Sequence, residues 1–308
     1  MIVDVDLITF RHFFQIDPHP FISQGFIEIN KSKADKVIRL LDDGERKMMG
    51  LVAGIRGDKI YSPFSAPFGG FHFRNEVIYI SEIDIFIDSL KEYIRKNSLS
   101  GIEITIPPFI YHPTFSSKLI NSLSRSGFKT ELPEVTGWID LEKFNNSFSK
   151  KNTREALKKS MKNSLNFLQV SSIDEKEECY NLIKDNRAKF NRPIYMSLQD
   201  IIDISELWEV DFFKVIDQYN NSVAAAIFYR SHKEIIHAAF WGDSDEGRNL
   251  KAIDFLAFNM WTYYKNRGYK YIDVGISTED GIPNEGLLRF KESHDSISSL
   301  RYKFNWSI

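Results

Sequence analysis

The stretch Glu234–Gly275 limits what this chain can fold into more than any other. It opens on an unbroken apolar run, EIIHAAFW, of the kind a strand shows when both of its faces are covered. A polar segment, GDSDEGRN, follows. Leu250, Ile253, Ala257, Met260 and Tyr264 then recur at helical spacing over Leu250–Asn266, with Asn249 in capping position and Gly268 where a helix ends. Tyr269–Val274 reads as the next strand. Strand, helix and strand in that order predict a sheet with helices packed on it, an α/β (α+β) fold class. The start of the helix also suits a ligand. Its first N–H groups have no helical partner and carry partial positive charge, which favours an anion, phosphate above all. An ordinary crossover has the same pattern, so the unit alone does not name the ligand.

A chain of 308 residues is long for one core, and two domains are expected. The first half alternates short elements. Phe26–Ile29 and Val37–Leu41 read as strands or short apolar segments, and Lys47–Ile55 with Lys59–Ser62 as a hairpin turned at Gly57. Ser62–Phe73 is a loop by its Pro and Gly content, yet it holds four Phe and must be packed, as a lid or as interdomain contact. Ile83, Phe86, Leu90 and Ile94 mark a helix, Gly101–Ile106 a strand, Phe115–Ser124 a helix and Gly137–Leu141 a strand. Composition then shifts at SFSKKNTREALKKSMKN, where Lys151, Arg154, Lys158 and Lys162 share one helix face. The boundary is placed there, giving domains 1–148 and 149–308. The second half adds helices near Asp174–Phe190 and Leu198–Leu207, and strands Phe212–Asp217, Val223–Tyr229 and Ser299–Trp306.

The net charge of −2 provides no global attraction to nucleic acid or anionic lipid. Cys179 is the only cysteine, so there is neither a disulfide framework nor a cysteine metal cluster, and no metal is expected. MIVDVDLITF lacks a basic leader, and no apolar run approaches the roughly 20 residues of a membrane span. A cytoplasmic chain without a transmembrane segment is the expectation.

After the Tyr271-Ile272-Asp273-Val274-Gly275 strand come Gly286-Leu287-Leu288-Arg289-Phe290-Lys291 and a last strand, RYKFNW. With Ser149, Arg154 and Lys158-Lys159 opening the second half, this order resembles the GNAT superfamily, and within it the tandem branch of Fem-type aminoacyltransferases and their acetyltransferase-like relatives. The resemblance covers the second half clearly, and the first by element order and the Gly127-Phe128 turn. It implies two GNAT-like domains, each a mixed, mostly antiparallel sheet flanked by helices. It also implies transfer of an acyl or aminoacyl group to an amine on a cell-envelope or polysaccharide precursor. Acyl-CoA or aminoacyl-tRNA would be the donor.

The residues that resemblance brings forward are Lys291 as the catalytic group, stabilising negative charge on the donor, with Gly247, Arg248, Asn249, Lys251 and Phe290 binding the donor. Phe68, Gly69, Gly70, His112, Tyr229 and Trp241 are the acceptor-binding candidates, and the Lys151, Arg154, Lys158, Lys162 face could grip tRNA phosphates or be a solvated helix face. The strands Val223–Tyr229 and Glu234–Trp241 are expected to splay. Two departures stand out: Asp245 and Glu246 lie where CoA-binding members have a Gly-rich pyrophosphate loop, and Ile106-Pro107-Pro108-Phe109 holds no carboxylate where Fem-type members often carry one. His237 reads as a satisfied core histidine, Asp273 as a cap or salt-bridge partner, and Glu279, Asp280 and Glu285 as solvated acids or a base acting through water. The rival readings are a CoA-dependent N-acyltransferase on a sugar or small amine, and a non-catalytic protein that keeps the fold.

Overall fold

The computed structural model describes residues 1–44 and 47–308. The chain divides into two compact units: Met1–Val135 with Glu279–Ile282 and Ser299–Ile308, and Thr136–Thr278 with Pro283–Ser298.

The first unit contains β1 (Ile2–Asp4), α1 (Leu7–Phe13), α2 (Gln24–Asn30), β2 (Lys36–Asp42), β3 (Met49–Arg56), β4 (Lys59–Ser62), β5 (Phe71–Phe73), α3 (Ile80–Lys96), β6 (Gly101–Thr105), α4 (Pro113–Arg125) and β7 (Lys129–Thr130). The 26–29 segment is helical rather than extended, because Ser23 caps α2 by accepting from the Phe26 N–H. Gly57 adopts φ +58° and turns the β3–β4 hairpin. The Glu82 carboxylate accepts the Tyr79 N–H at 3.1 Å and fixes the start of α3, whose Ile83, Phe86, Ile87, Leu90 and Ile94 pack on Ile38, Leu40, Leu51, Ile102 and Ile104 of the sheet.

The second unit contains β8 (Glu134–Asp140), α5 (Lys151–Ser160), β9 (Asn166–Val170), α6 (Ile173–Lys189), α7 (Leu198–Ser205), β10 (Glu209–Ile216), β11 (Ser222–Arg230), β12 (Ile235–Asp243), α8 (Asp245–Leu250), α9 (Ala252–Lys265) and β13 (Tyr271–Ile276). After the short pair β14 (Thr278–Glu279) and β15 (Ile282–Pro283) come α10 (Glu285–Ser293), β16 (Ser296–Arg301) and β17 (Lys303–Ser307). Helix α9 sends Leu256, Met260, Trp261 and Tyr264 into a core with Phe213, Phe228, Ile236 and Ile272. Burying side chains of this size contributes about 1.5–3 kcal/mol each.

Both sheets have one strand order. The first runs β1-β2-β3-β4-β6-β17-β7, with β5 beside β3, and the second runs β9-β10-β11-β12-β13-β8-β16. In each, the fourth and fifth strands are parallel, β4 with β6 and β12 with β13, and the other pairs with a defined register are antiparallel. In each, the sixth place is filled from a distant part of the sequence. β17 enters the first sheet against Gly101–Thr105, and β8 enters the second against Tyr271–Ile276. No helix among the described residues is long and apolar enough to cross a membrane.

Candidate active site

In the second sheet β12 and β13 pair over three residues only, Ile235 with Tyr271, Ile236 with Ile272 and His237 with Asp273. Beyond that point they part. β12 keeps its ladder on β11, from Tyr229–His237 to Ala224–Asp243, through a register shift at Ile227/Phe228. β13 follows β8 through a second shift between Asp273 and Gly275, and Gly275 takes φ +70°, which only glycine adopts cheaply. From Ala238 onward β12 therefore presents main-chain groups that β13 does not pair. This corrects the expectation of a splay between Val223–Tyr229 and Glu234–Trp241, which are bonded along their length.

Lys291 reaches into this region. It lies on α10, a helix the sequence reading did not assign, started by Asn284 accepting the Leu287 N–H at 3.1 Å. Its side chain is buried at 3% exposure, and Nζ donates to the carbonyls of Gly275 at 2.9 Å and Ile276 at 2.7 Å. A buried ammonium is costly unless its N–H groups find acceptors, and here the carbonyls belong to the part of β13 that has left β12. Phe290 meets the Trp241 ring edge-on at 5.2 Å, and Trp241 lies 5.8 Å from Trp261. Lys291, Phe290 and Trp241 are thus brought together, while Tyr229 and His237 lie on the other face of the sheet, since Phe228 beside Tyr229 is the residue that meets Trp241.

The equivalent opening in the first sheet is bridged by the chain itself. β4 pairs with β6 up to Ser62–Ile104, and the Gly69 N–H then donates to the Thr105 carbonyl at 2.8 Å. A Cβ on Gly69 would meet Pro63 N at 2.5 Å, so the Phe-rich loop needs glycine there for close packing. Gly70, at φ +111°, donates to Ser62 Oγ at 3.0 Å. Phe68 is buried against His19, Phe21 and Tyr111. His112 caps α4, and its ring nitrogens lie 2.9 Å from Glu76 Oε1 and 2.5 Å from the Pro18 carbonyl oxygen. These four residues lie within the packing of the first unit.

The loop after β12 is occupied by its own side chains. Ser244, not Asn249, is the cap: its Oγ accepts the Gly247 N–H at 3.0 Å, while Asn249 turns to Glu246 at 3.3 Å. The predicted helix breaks at Lys251, whose φ of +59° ends α8 and starts α9. Asp243 receives Asn186 at 3.0 Å and lies 3.5 Å from Arg248; burial pushes its carboxyl up, against Arg248. Asp245 lies 2.7 Å from Lys189, which holds its carboxyl below the usual range, and 3.6 Å from Arg248. Gly247 is a packing glycine: a Cβ would approach Val223 O at 2.0 Å.

Cations without a carboxylate partner lie elsewhere. Arg187 and Arg192, which the sequence did not single out, have no ion-pair partner among the described residues. Arg187 Nε donates to the Arg192 carbonyl at 3.1 Å, and its guanidinium lies 5.9 Å from the Phe240 ring on the part of β12 that β13 does not pair. Burial, and then Arg192, push the Arg187 guanidinium down. On α5, Lys151 faces Glu155 at 3.8 Å and Arg154 donates to the Phe148 and Ser149 carbonyls. Lys158, on α5, and Lys162, in the turn past its end rather than on the shared helix face expected from the sequence, are exposed and have no ion pair among the described residues. A cleft of about 1170 Å³ opens where α5 begins, edged by Lys143, Lys150, Lys151 and Arg289 over Phe144 and Phe148. Among the described residues no three His, Cys, Asp or Glu side chains are grouped to hold a metal ion.

No protein-family model and no curated protein sequence matches this chain. Solved structures do. FemX superposes with a TM-score of 0.70 at 12% identity, over 100% of this chain and 97% of that one. L-PGS from Bacillus licheniformis gives 0.60 at 11%, over 98% and 92%. A tandem GNAT protein from the clavulanic acid biosynthesis pathway gives 0.53 at 7%, over 88% and 83%. The chain therefore shares the fold of FemX and of the tandem GNAT protein, a mixed α/β architecture with two mostly antiparallel sheets.

Proposed function

From this Fem-type tandem fold, we propose that the chain transfers an aminoacyl group from a charged tRNA to an amine on a cell-envelope precursor, at the place where β12 and β13 part. The observation that carries the proposal is the buried Lys291 ammonium held on the Gly275 and Ile276 carbonyls beside that opening. Attack of an amine on an aminoacyl ester forms an N–C bond, breaks the C–O bond to the ribose and passes through an oxyanion. Unpaired β12 amides and the Lys291 charge are the donors such an oxyanion needs.

Two observations favour tRNA over acyl-CoA as donor. A pyrophosphate would meet Asp243 and Asp245 at the α8 loop, and Lys189 and Arg248 already serve those acids. Arg187, Arg192, Lys158 and Lys162 are among the described cations without an ion pair, which suits the several phosphates of a nucleic acid. In this reading Phe290, Lys251 and Arg248 border the donor, and Gly247 and Asn249 shape the loop. Trp241 and Tyr229 border the acceptor. Phe68, Gly69, Gly70 and His112 act there only if their packing opens.

Filter binding of charged tRNA beside calorimetry with acetyl-CoA tests the reading. Binding of charged tRNA followed by transfer of the amino acid to an amine-bearing envelope precursor supports it. Binding of acetyl-CoA alone would move the protein to CoA-dependent acylation of a sugar or small amine. Binding of neither would leave a fold without a donor site.

A further inference from the structure

Strand register joins three residues that no sequence pattern connects. Tyr229 on β11 pairs with His237 on β12, and His237 pairs with Asp273 on β13. Neighbours in register share a face of a sheet, so the three side chains form one row. The row lies at the last pair before β12 and β13 part.

The contacts along it run in one direction. Asp273 is 1% exposed; its Oδ1 accepts the Gly275 N–H at 2.9 Å and its Oδ2 lies 3.3 Å from His237 Nδ1. A carboxylate held in this way accepts the Nδ1 proton, which leaves the lone pair on Nε2. His237 is itself buried and stacks on the Tyr229 ring, 27° apart in plane and 6.0 Å between centroids. The Tyr229 hydroxyl is buried with no hydrogen-bond partner among the described residues. Leaving a hydroxyl in that state costs about 1–3 kcal/mol, a cost that a polar group arriving with a substrate would remove.

Resting on the transferase reading, we infer that His237, oriented by Asp273, is the proton acceptor of the transfer, and that Tyr229 positions the incoming amine. As the amine nitrogen bonds to the ester carbon, His237 Nε2 takes the proton that nitrogen loses. As the C–O bond breaks, the same proton passes to the departing ribose oxygen. The step is balanced and needs no oxidant or metal.

The test uses the whole chain. First, long-range 1H–15N correlation of histidine-labelled wild type, with His237 assigned by its loss in His237→Gln, is expected to show the Nδ1-protonated tautomer. The Nε2-protonated form would overturn the inference without any substrate. Second, single-turnover transfer from charged tRNA is expected to slow about 10²–10⁴-fold in His237→Gln with donor binding retained. Imidazole should restore part of that rate in His237→Ala, which a merely structural role would not predict. An active wild type with unaffected His237→Gln sinks the inference alone. A wild type that transfers nothing sinks the transferase reading and the inference with it.

Discussion

An ammonium ion taken out of water must find acceptors for its protons, and Lys291 finds two on the same strand. A Lys291→Met change keeps the bulk and removes the charge, and it is expected to lower the transfer rate far more than donor binding. Unchanged turnover would remove Lys291 from the mechanism. Lys291 was legible because its sequence neighbours carry a resemblance. His237 and Asp273 were not, because each alone has an ordinary explanation, and only the register of β12 on β13 makes them a pair. Another residue-level effect belongs to stability. Burial pushes the His72 imidazole below its ordinary 6.5, outweighing the hydrogen bond it makes to the Asp17 carboxylate. Above pH 6.5 both folded and unfolded chains are neutral at this residue. As pH falls through that value the unfolded chain takes the proton first, so stability drops until the folded imidazole titrates too. Urea unfolding across pH 7.5 to 5 should therefore show a steeper loss in wild type than in His72→Gln; equal slopes would contradict the burial argument.

Among the elements, α8 and α10 departed most from expectation. Apolar spacing ran unbroken from Leu250, yet spacing is blind to backbone sign, and Lys251 turns left-handed between two helices. A lysine there carries a conformational cost of about 1 kcal/mol, so Lys251→Gly should leave stability equal or slightly raised, and Lys251→Val should lower it. Gly247 makes the opposite prediction. Its Cβ would enter the Val223 carbonyl, so Gly247→Ala is expected to destabilise by about 1–3 kcal/mol, read by urea denaturation. Helix α10 was hidden by Gly286 and by its short apolar register, whereas α3, α4, α6 and α9 were readable from periodicity alone. The α5 face has its own test. Reversing Lys158 and Lys162 to Glu should weaken tRNA binding and flatten its dependence on salt, and an unchanged slope would make the face a solvated one.

At the level of the whole molecule, the order of strands was only half legible. The sequence supported two domains divided near Phe148, and a cut there tests that division. What no local pattern could reveal is that β17 crosses the whole second unit to take the sixth place in the first sheet, and that β8 takes the same place in the second, against β13. A fragment of residues 1–148 would lack β17 and carry β8 without its sheet. It is expected to show no cooperative unfolding by circular dichroism, and a fragment that melts cooperatively would show that β17 is dispensable.

That borrowed strand also sets a timetable. A ribosome makes the whole second unit between Thr130 and Lys303, so the first sheet waits, with the β6 edge unpaired, until the closing strand emerges. An open β6 edge during that interval is a template for other strands. A nascent chain stalled before Lys303 is therefore a target for chaperones, and the emergence of Lys303–Ser307 is the moment at which the first sheet can close.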